Sequence, residues 1–342
     1  MNLKAKNMKK KYMKLQVLSL VLVLLMSFIL NIDQLNSSPV IAVYFYVWYG
    51  NPENSHWNNS IYNIVVDKPL IGYYSSIDES TIRWQLNLIK QASIDVLFIS
   101  WWGPGSYEDK AAKKVFLLLK EYGLKAAIMI EPYLGNNASL YTKEWWNKVL
   151  NYIYVNYVLM HKDVYFYWME KPLILAFNPI GEVYKPIDSR FTIRIVGNDN
   201  PYIDWDYWSY SPRIRYDGYV AILPRYDDYY LYLAGARESY TRLDPDYSQR
   251  VYENCWNFVL SHKNVVKLIV ICSWNEYHER TMIEPHYDAT STIDIYQETV
   301  KYINMIGKPN TLSTIIYRVL IIALTLILVL ALLKRILRTK IT

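Results

Sequence analysis

Short apolar runs recur along the chain at residues 40–49, 95–102, 125–133, 172–177, 192–196, 219–223 and 267–274, with a weaker one at 207–210. Between them the apolar positions switch to helical spacing, at 80–93, 109–122, 143–160, 247–261 and 293–306. In the first of these, Ile82, Leu86 and Ile89 recur at spacings of four and three, the stripe of a helix with one buried face. The strand runs are apolar at both parities, as expected where both faces of a sheet are covered. Strands alternating with helices predict parallel βαβ units. Seven clear strands and one weak one, spread over residues 39–312, predict a single α/β domain of the (β/α)8 TIM-barrel type, which typically needs ~250 residues. An open doubly wound sheet is the competing architecture. It usually carries a Gly-rich phosphate turn after its first strand, and no such turn stands in this sequence.

Two longer apolar segments break the rhythm, at residues 15–32 and 315–333. Each is near the ~20 apolar residues a helix needs to cross a bilayer. Lys4, Lys6, Lys9, Lys10, Lys11 and Lys14 precede the first, and Lys334, Arg335, Arg338 and Lys340 follow the second. Lys and Arg collect on the cytoplasmic side of membrane spans. The pattern predicts basic cytoplasmic tails at 1–14 and 334–342, a transmembrane helix at each end, and domain 39–312 on the extracytoplasmic face. The first segment also reads as a cleavable signal peptide; residues 31–38 offer no convincing small-residue cleavage site, which favours an anchor.

Charge and cysteine usage sharpen this picture. Taking the ten tail charges from the formal +6 leaves −4 for everything between. The basic balance is therefore a topology signal, and a nucleic-acid partner is not expected. Cys255 and Cys272 are the two cysteines. They are either one extracellular disulfide or two buried thiols, and no Cys/His metal spacing accompanies them. Asn36, Asn58 and Asn137 each open an Asn-x-Ser triplet, weak support for export.

Polar and aromatic residues gather at the C-terminal ends of the predicted strands, where barrel enzymes carry their active sites. The first run ends in Tyr46, Trp48 and Tyr49, the second in Ser100, Trp101 and Trp102, and the third in Glu131, Pro132 and Tyr133. The last ends in Trp274, Asn275, Glu276, Tyr277, His278 and Glu279, followed by Glu284. Glu276 and Glu279 stand three apart after an apolar strand. Burying either without a partner costs several kcal/mol. Glycoside hydrolysis needs such a pair, one protonated acid beside the leaving oxygen and one ionised carboxylate near the anomeric carbon. Once the strand gives way to a turn, an i,i+3 pair can point the same way. Crowding and burial then raise one pKa. Exposed aromatic rings supply flat platforms for sugars. His278 and Glu279 lack the second histidine of a helical zinc-protease motif, and neither a Gly-x-Ser-x-Gly elbow nor a P-loop is present.

Taken together and in order, these pieces resemble glycoside hydrolase family 99, the endo-α-mannosidases and endo-α-mannanases. The resemblance rests on Tyr46-Val47-Trp48-Tyr49-Gly50-Asn51-Pro52, on Gly72-Tyr73-Tyr74-Ser75-Ser76-Ile77-Asp78, and on Ile94-Asp95-Val96 running into Ser100-Trp101-Trp102-Gly103. It rests also on Glu131-Pro132-Tyr133, on the segment 273–279 with Ile283-Glu284-Pro285, and more weakly on Pro224-Arg225-Tyr226-Asp227-Asp228. It implies a (β/α)8 barrel, retention of anomeric configuration, and neither cofactor nor metal. By it Glu276 is the base that deprotonates the substrate's own 2-hydroxyl, whose attack on the anomeric carbon gives a 1,2-anhydro sugar. Glu279 is the general acid and then the base that activates water. Tyr46, Trp48, Trp101, Trp102, Glu131, Tyr133, Tyr226, Asn275, His278 and Glu284 are expected to bind the sugars. Arg280 and Ser93 stand where the family usually has glycine; Arg280 is expected to narrow the cleft or meet an anionic sugar. The expected activity is endo-hydrolysis of an α-mannoside-like oligosaccharide or polysaccharide at the membrane bilayer. A glycan-assembly enzyme and an inactive surface glycan-binding protein are the alternatives.

Overall fold

The computed structural model describes residues 38–50, 56–135, 140–177, 186–197 and 203–307, and singly residues 19 and 323. The chain divides into two units, one of Pro39–Ile306 and one of Met1–Ser38 with Gly307–Thr342. Both long apolar segments and both basic tails fall in the second unit and lie outside the described residues, save positions 19 and 323. Among the described residues no helix is long and apolar enough to cross a membrane.

The Pro39–Ile306 unit is built on eight parallel strands: β1 (Val40–Phe45), β2 (Val96–Trp101), β3 (Lys125–Ile130), β4 (Lys171–Phe177), β5 (Thr192–Gly197), β6 (Trp205–Asp206), β7 (Tyr219–Ile222) and β8 (Leu268–Ile271). They follow one another in chain order around the sheet, and β8 returns beside β1, pairing Val40 with Leu268 and Val43 with Ile271. Between β6 and β7 side chains make the join. The Tyr219 hydroxyl donates to the Asp206 carbonyl at 2.5 Å, and the Trp205 and Tyr219 rings stack with centroids 4.2 Å apart. The result is a nearly closed parallel barrel, which excludes the open doubly wound alternative. Strand β6 falls just before the weak run at 207–210. Its Asp206 is tied to Arg213 and Arg215 at 2.7 and 2.5 Å, so the strand carries no apolar run of its own.

The barrel interior is filled with rings. Tyr44 lies 5.9 Å from Phe98, Phe98 lies 6.2 Å from Phe166, and the Tyr44 and Tyr219 hydroxyls are 3.3 Å apart. Around it run α1 (Glu79–Gln91), α2 (Tyr107–Tyr122), α3 (Lys143–Ile153), α4 (Tyr229–Leu233), α5 (Val251–Ser261) and α6 (Ile295–Ile306). Asp78, Ser106 and Thr142 cap the first three by accepting backbone N–H groups, each worth ~1 kcal/mol. Ile82, Leu86 and Ile89 are buried, as their spacing requires. Two helix boundaries differ by more than two residues from the sequence expectation. The helix expected over 143–160 becomes a π-helix at Tyr154–Leu159. That expected over 247–261 begins at Val251, because the Asp244 carboxylate accepts the N–H groups of Gln249 and Val251 and winds 244–250 into a turn. Cys255 and Cys272 are both free and buried.

Candidate active site

Beyond β8 the chain passes a cis peptide between Cys272 and Ser273 and folds back on itself. The N–H groups of Ser273, Ile283 and Glu284 donate to the carbonyls of Thr281, Ser273 and Trp274 at 2.8, 3.0 and 2.8 Å. Glu276, Tyr277, His278 and Glu279 lie within this closed loop. It is stitched to the segment after β1. The Asn275 side-chain oxygen accepts from the Tyr46 N–H and its amide donates to the Tyr46 carbonyl, both at 2.8 Å. The Tyr49 hydroxyl donates to the Asn275 carbonyl at 2.8 Å. A continuing strand would send residues 276 and 279 to opposite faces; the turn instead brings both carboxyls into mutual repulsion.

Each carboxyl has its own environment. Glu276 Oε1 accepts the His278 backbone N–H at 2.9 Å and pairs with His278 Nδ1 at 2.9 Å. His278 Nε2 lies 2.9 Å from the His56 carbonyl, which only accepts, so Nε2 carries a hydrogen. One proton is then shared along the Nδ1–Oε1 axis. Burial opposes the imidazolium, but the Glu276 charge and hydrogen bond outweigh it and raise the His278 pKa. Glu279 is partly open, with 22% of its side chain exposed. Burial and repulsion from Glu276 push it up to about 7, against the pull of the Arg237 guanidinium. Glu131, just past the end of β3, is buried and pushed up to about 8. Desolvation drives that shift, the hydrogen bond from the Ser100 hydroxyl at 2.8 Å opposes it, and the charges of Glu276 and Glu279 add to it. The site thus holds two carboxyls drawn up to about 7 and about 8 beside a third, Glu276, hydrogen-bonded to histidine.

Aromatic rings wall this group. Trp48 lies 4.5 Å from Tyr46, 5.6 Å from His278 and 6.2 Å from Trp102, and stacks on His56 at 5.1 Å. The Tyr46 and Tyr207 hydroxyls share a short hydrogen bond. The Trp102 indole N–H donates to Ser100 Oγ at 3.1 Å, the same hydroxyl that serves Glu131. Tyr226 lies against Glu279 and Asp228. Tyr133 presses on Gly103, whose φ of +99° suits glycine; a Cβ there would stand 2.8 Å from the tyrosine ring.

Three of the expected sugar-binding residues stand apart from this wall. Trp101 is fully buried against α2 with its indole N–H on Asp109 at 2.9 Å, because strand alternation turns Ser100 inward and Trp101 outward. Asn275 spends its side chain on the Tyr46 backbone and the Tyr74 hydroxyl. Glu284 is fully buried and accepts from Gln85, Tyr74, Trp274 and Tyr277 at 2.6, 3.0, 2.9 and 2.7 Å. Sequence reasoning missed Tyr207, His56 and Arg237 as contributors, and placed Ser100 at the mouth without a role. Alternation along β2 was the available signal for Ser100; Arg237 offered none, since nothing local in its loop points to Glu279.

Arg280 also departs from expectation. It is 1% exposed and turned away from the cleft, bonded to Asp67 at 2.7 and 3.0 Å, to Asp227 at 2.7 Å and to Asp288 at 3.2 Å. Its φ is +55° and that of Ser93 is +59°, so both residues hold a left-handed backbone that glycine adopts freely. The arginine's ion pairs hold it in that conformation. Arg280→Gly is expected to relieve ~1 kcal/mol of backbone strain and lose ~3–5 kcal/mol from stranded buried carboxylates. Urea unfolding should show the net loss, while the folded fraction keeps its catalytic constants. Unchanged stability with altered sugar binding would return Arg280 to the cleft. Asp67, His286 and Asp288 also bring ligand-type atoms within 4.8 Å of one another. Arg225 and Arg280 already pair with both aspartates, so a metal ion there would meet two guanidinium groups.

Comparison with known proteins bears on the fold. The structure of the GH99 endo-alpha-mannosidase from Bacteroides thetaiotaomicron in complex with BIS-TRIS-Propane matches 80% of this chain and 98% of its own, with a TM-score of 0.59 at 18% identity. The barrel shares the fold of that enzyme. A second structure of the GH99 endo-alpha-mannosidase from Bacteroides thetaiotaomicron gives a TM-score of 0.57 at 18% identity, over 78% of this chain and 97% of its own. In sequence, the glycoprotein endo-alpha-1,2-mannosidase of Xenopus laevis is 29% identical over 124 residues, 27% of this chain and 28% of that protein. The mouse protein of the same name is 29% identical over 124 residues, 27% of each chain. The human glycoprotein endo-alpha-1,2-mannosidase-like protein is 26% identical over 128 residues, 28% of each. The alignment thus spans under a third of these relatives' length. No family model matches the chain.

Proposed function

We propose that this chain is a retaining, endo-acting glycosidase that hydrolyses internal α-mannosidic linkages. The relatives' names supply the substrate class. The observation that carries the reading is the carboxyl set at the C-terminal mouth of the barrel, where Glu279 and Glu131 are drawn towards neutrality beside a histidine-bound Glu276.

In the proposed first step Glu276 takes the proton of the substrate's 2-hydroxyl as that oxygen attacks the anomeric carbon. Glu279 gives its proton to the departing glycosidic oxygen as the C–O bond breaks, leaving a 1,2-anhydro sugar. In the second step Glu279, now ionised, takes a proton from water as the water oxygen attacks the anomeric carbon. Glu276 returns its proton to O2 as the three-membered ring opens. A pKa near 7 suits a group that is acid first and base second. Glu131, protonated at neutral pH, donates to a sugar hydroxyl, and Trp48, Trp102 and Tyr226 offer ring faces to sugars. We further propose that segments 15–32 and 315–333 hold the chain in a membrane with the barrel on the extracytoplasmic side, from their basic flanks.

The test is to incubate the full-length chain in detergent with an α-1,2-linked manno-oligosaccharide and follow product masses. Release of fragments of two or more sugars from within the chain is the expected outcome. Release of single mannose units from the end, or no cleavage, contradicts the reading.

A further inference from the structure

Residues 228–241 form an excursion clamped at its base. Tyr226–Asp227 pairs antiparallel with Arg242–Leu243, and the Asp228 N–H and side chain both bond Thr241. The base is tied to the catalytic loop, because the Asp227 N–H donates to the Glu279 carbonyl at 2.9 Å. From this excursion Arg237 reaches back over the cleft. Its Nη2 donates to Glu279 Oε1 at 3.1 Å and its Nε lies 4.0 Å from Asp228 Oδ2. Its own side chain is 46% exposed.

We propose that Arg237 is a positioning residue that holds Glu279 Oε1 and sets the acid–base balance of that carboxyl. The inference rests on the reading of Glu279 as the acid–base group. Glu279 faces Glu276 on its own loop, Glu131 at the end of β3, Tyr207 beyond β6, Cys272 beyond β8, and Tyr226 and Asp228 at the base of the excursion. His278, itself drawn towards the charged form, also lies in this field. Three of these neighbours are carboxyls, so without a fixed cation Glu279 would hold its proton too firmly. It would stay protonated to higher pH and give its proton up less readily in the first step. A guanidinium is permanently charged and forks to a carboxylate. At a half-exposed site it weakens proton binding without abolishing it.

The test uses Arg237→Ala and Arg237→Lys in the full-length chain. Two readouts are needed: the pH dependence of oligosaccharide cleavage, and an infrared titration of the Glu279 carboxyl identified by its absence in Glu279→Gln. An acid must be protonated to act, so activity falls as pH rises through its pKa. Removing the cation raises that pKa, and the basic limb of kcat moves up by roughly 0.5–1 pH unit in Arg237→Ala, the scale of one half-exposed ion pair. The infrared midpoint moves with it. KM changes little, and Arg237→Lys restores most of the midpoint. An infrared midpoint unmoved in Arg237→Ala overturns the inference. So does an unmoved basic limb with a raised KM, which would make Arg237 a sugar contact instead. A moved infrared midpoint in a chain that cleaves no mannoside would support the pairing while sinking the proposed activity.

Discussion

Glu279→Gln is expected to cut turnover by ~10²–10⁴-fold, the usual contribution of general acid–base catalysis, and to leave oligosaccharide affinity within a few-fold. The amide keeps the shape of the carboxyl but can neither give a proton to the leaving oxygen nor take one from water. The same substitution should stabilise the folded chain at alkaline pH. Burial and the charge of Glu276 raise the folded-state pKa of Glu279 to about 7. A carboxyl raised on folding favours the folded state at acid pH, and that advantage is lost as pH rises through the folded value. Glutamine does not ionise, so thermal unfolding at pH 8 should come later in the variant than in the wild type, with little difference near pH 4. Loss of activity together with loss of stability would mean a structural carboxylate instead.

Glu284→Ala should be the most damaging single change to stability. Glu284 accepts hydrogen bonds from Gln85, Tyr74, Trp274 and Tyr277 in a site closed to water. Alanine strands all four donors, and we expect a loss of at least ~3 kcal/mol in urea unfolding, the cost of breaking a buried charged network. Glu284→Gln should recover only part of this, because its NH2 meets donors. Gln85 stands on α1, Tyr74 in the segment before it, and Trp274 and Tyr277 on the loop after β8, so the damage should spread to the catalytic loop itself. A stable Glu284→Ala protein with its catalysis abolished would instead place Glu284 on the substrate.

How far the chain could be read without its structure varied from element to element, for physical reasons. Long strands such as β1 and β2 are covered on both faces, so their apolar runs stand out at every position. Strand β6 has two residues and a salt-bridged Asp206, so its position was legible only to within a few residues. Barrel closure is a matter of which strand lies beside β1, and no local pattern encodes that. In the site, the joint order of motifs pointed to Glu276, Glu279 and Glu131, which lie close enough that the charge of Glu276 raises the pKa of the other two. It did not separate Trp102 from Trp101, although period-two alternation would have assigned one to each face. Glu284 and Asn275 look like cleft residues in sequence because polar side chains beside a catalytic loop usually are. Here both are consumed in fastening that loop to its neighbours. Arg280 replaced an expected glycine and invited a role in the cleft; its partners Asp67, Asp227 and Asp288 are far away in sequence or on separate loops, beyond any local reading.

The central claim is that Glu276 and Glu279 act together to hydrolyse an internal α-mannosidic bond with net retention. Proton NMR of the anomeric region during the first minutes of cleavage, before mutarotation equilibrates the new reducing end, tests this most directly. The account predicts that the released fragment first appears as the α anomer and only later relaxes towards the equilibrium mixture. First appearance as the β anomer would mean inversion and would contradict both the two-step mechanism and the paired roles given to Glu276 and Glu279.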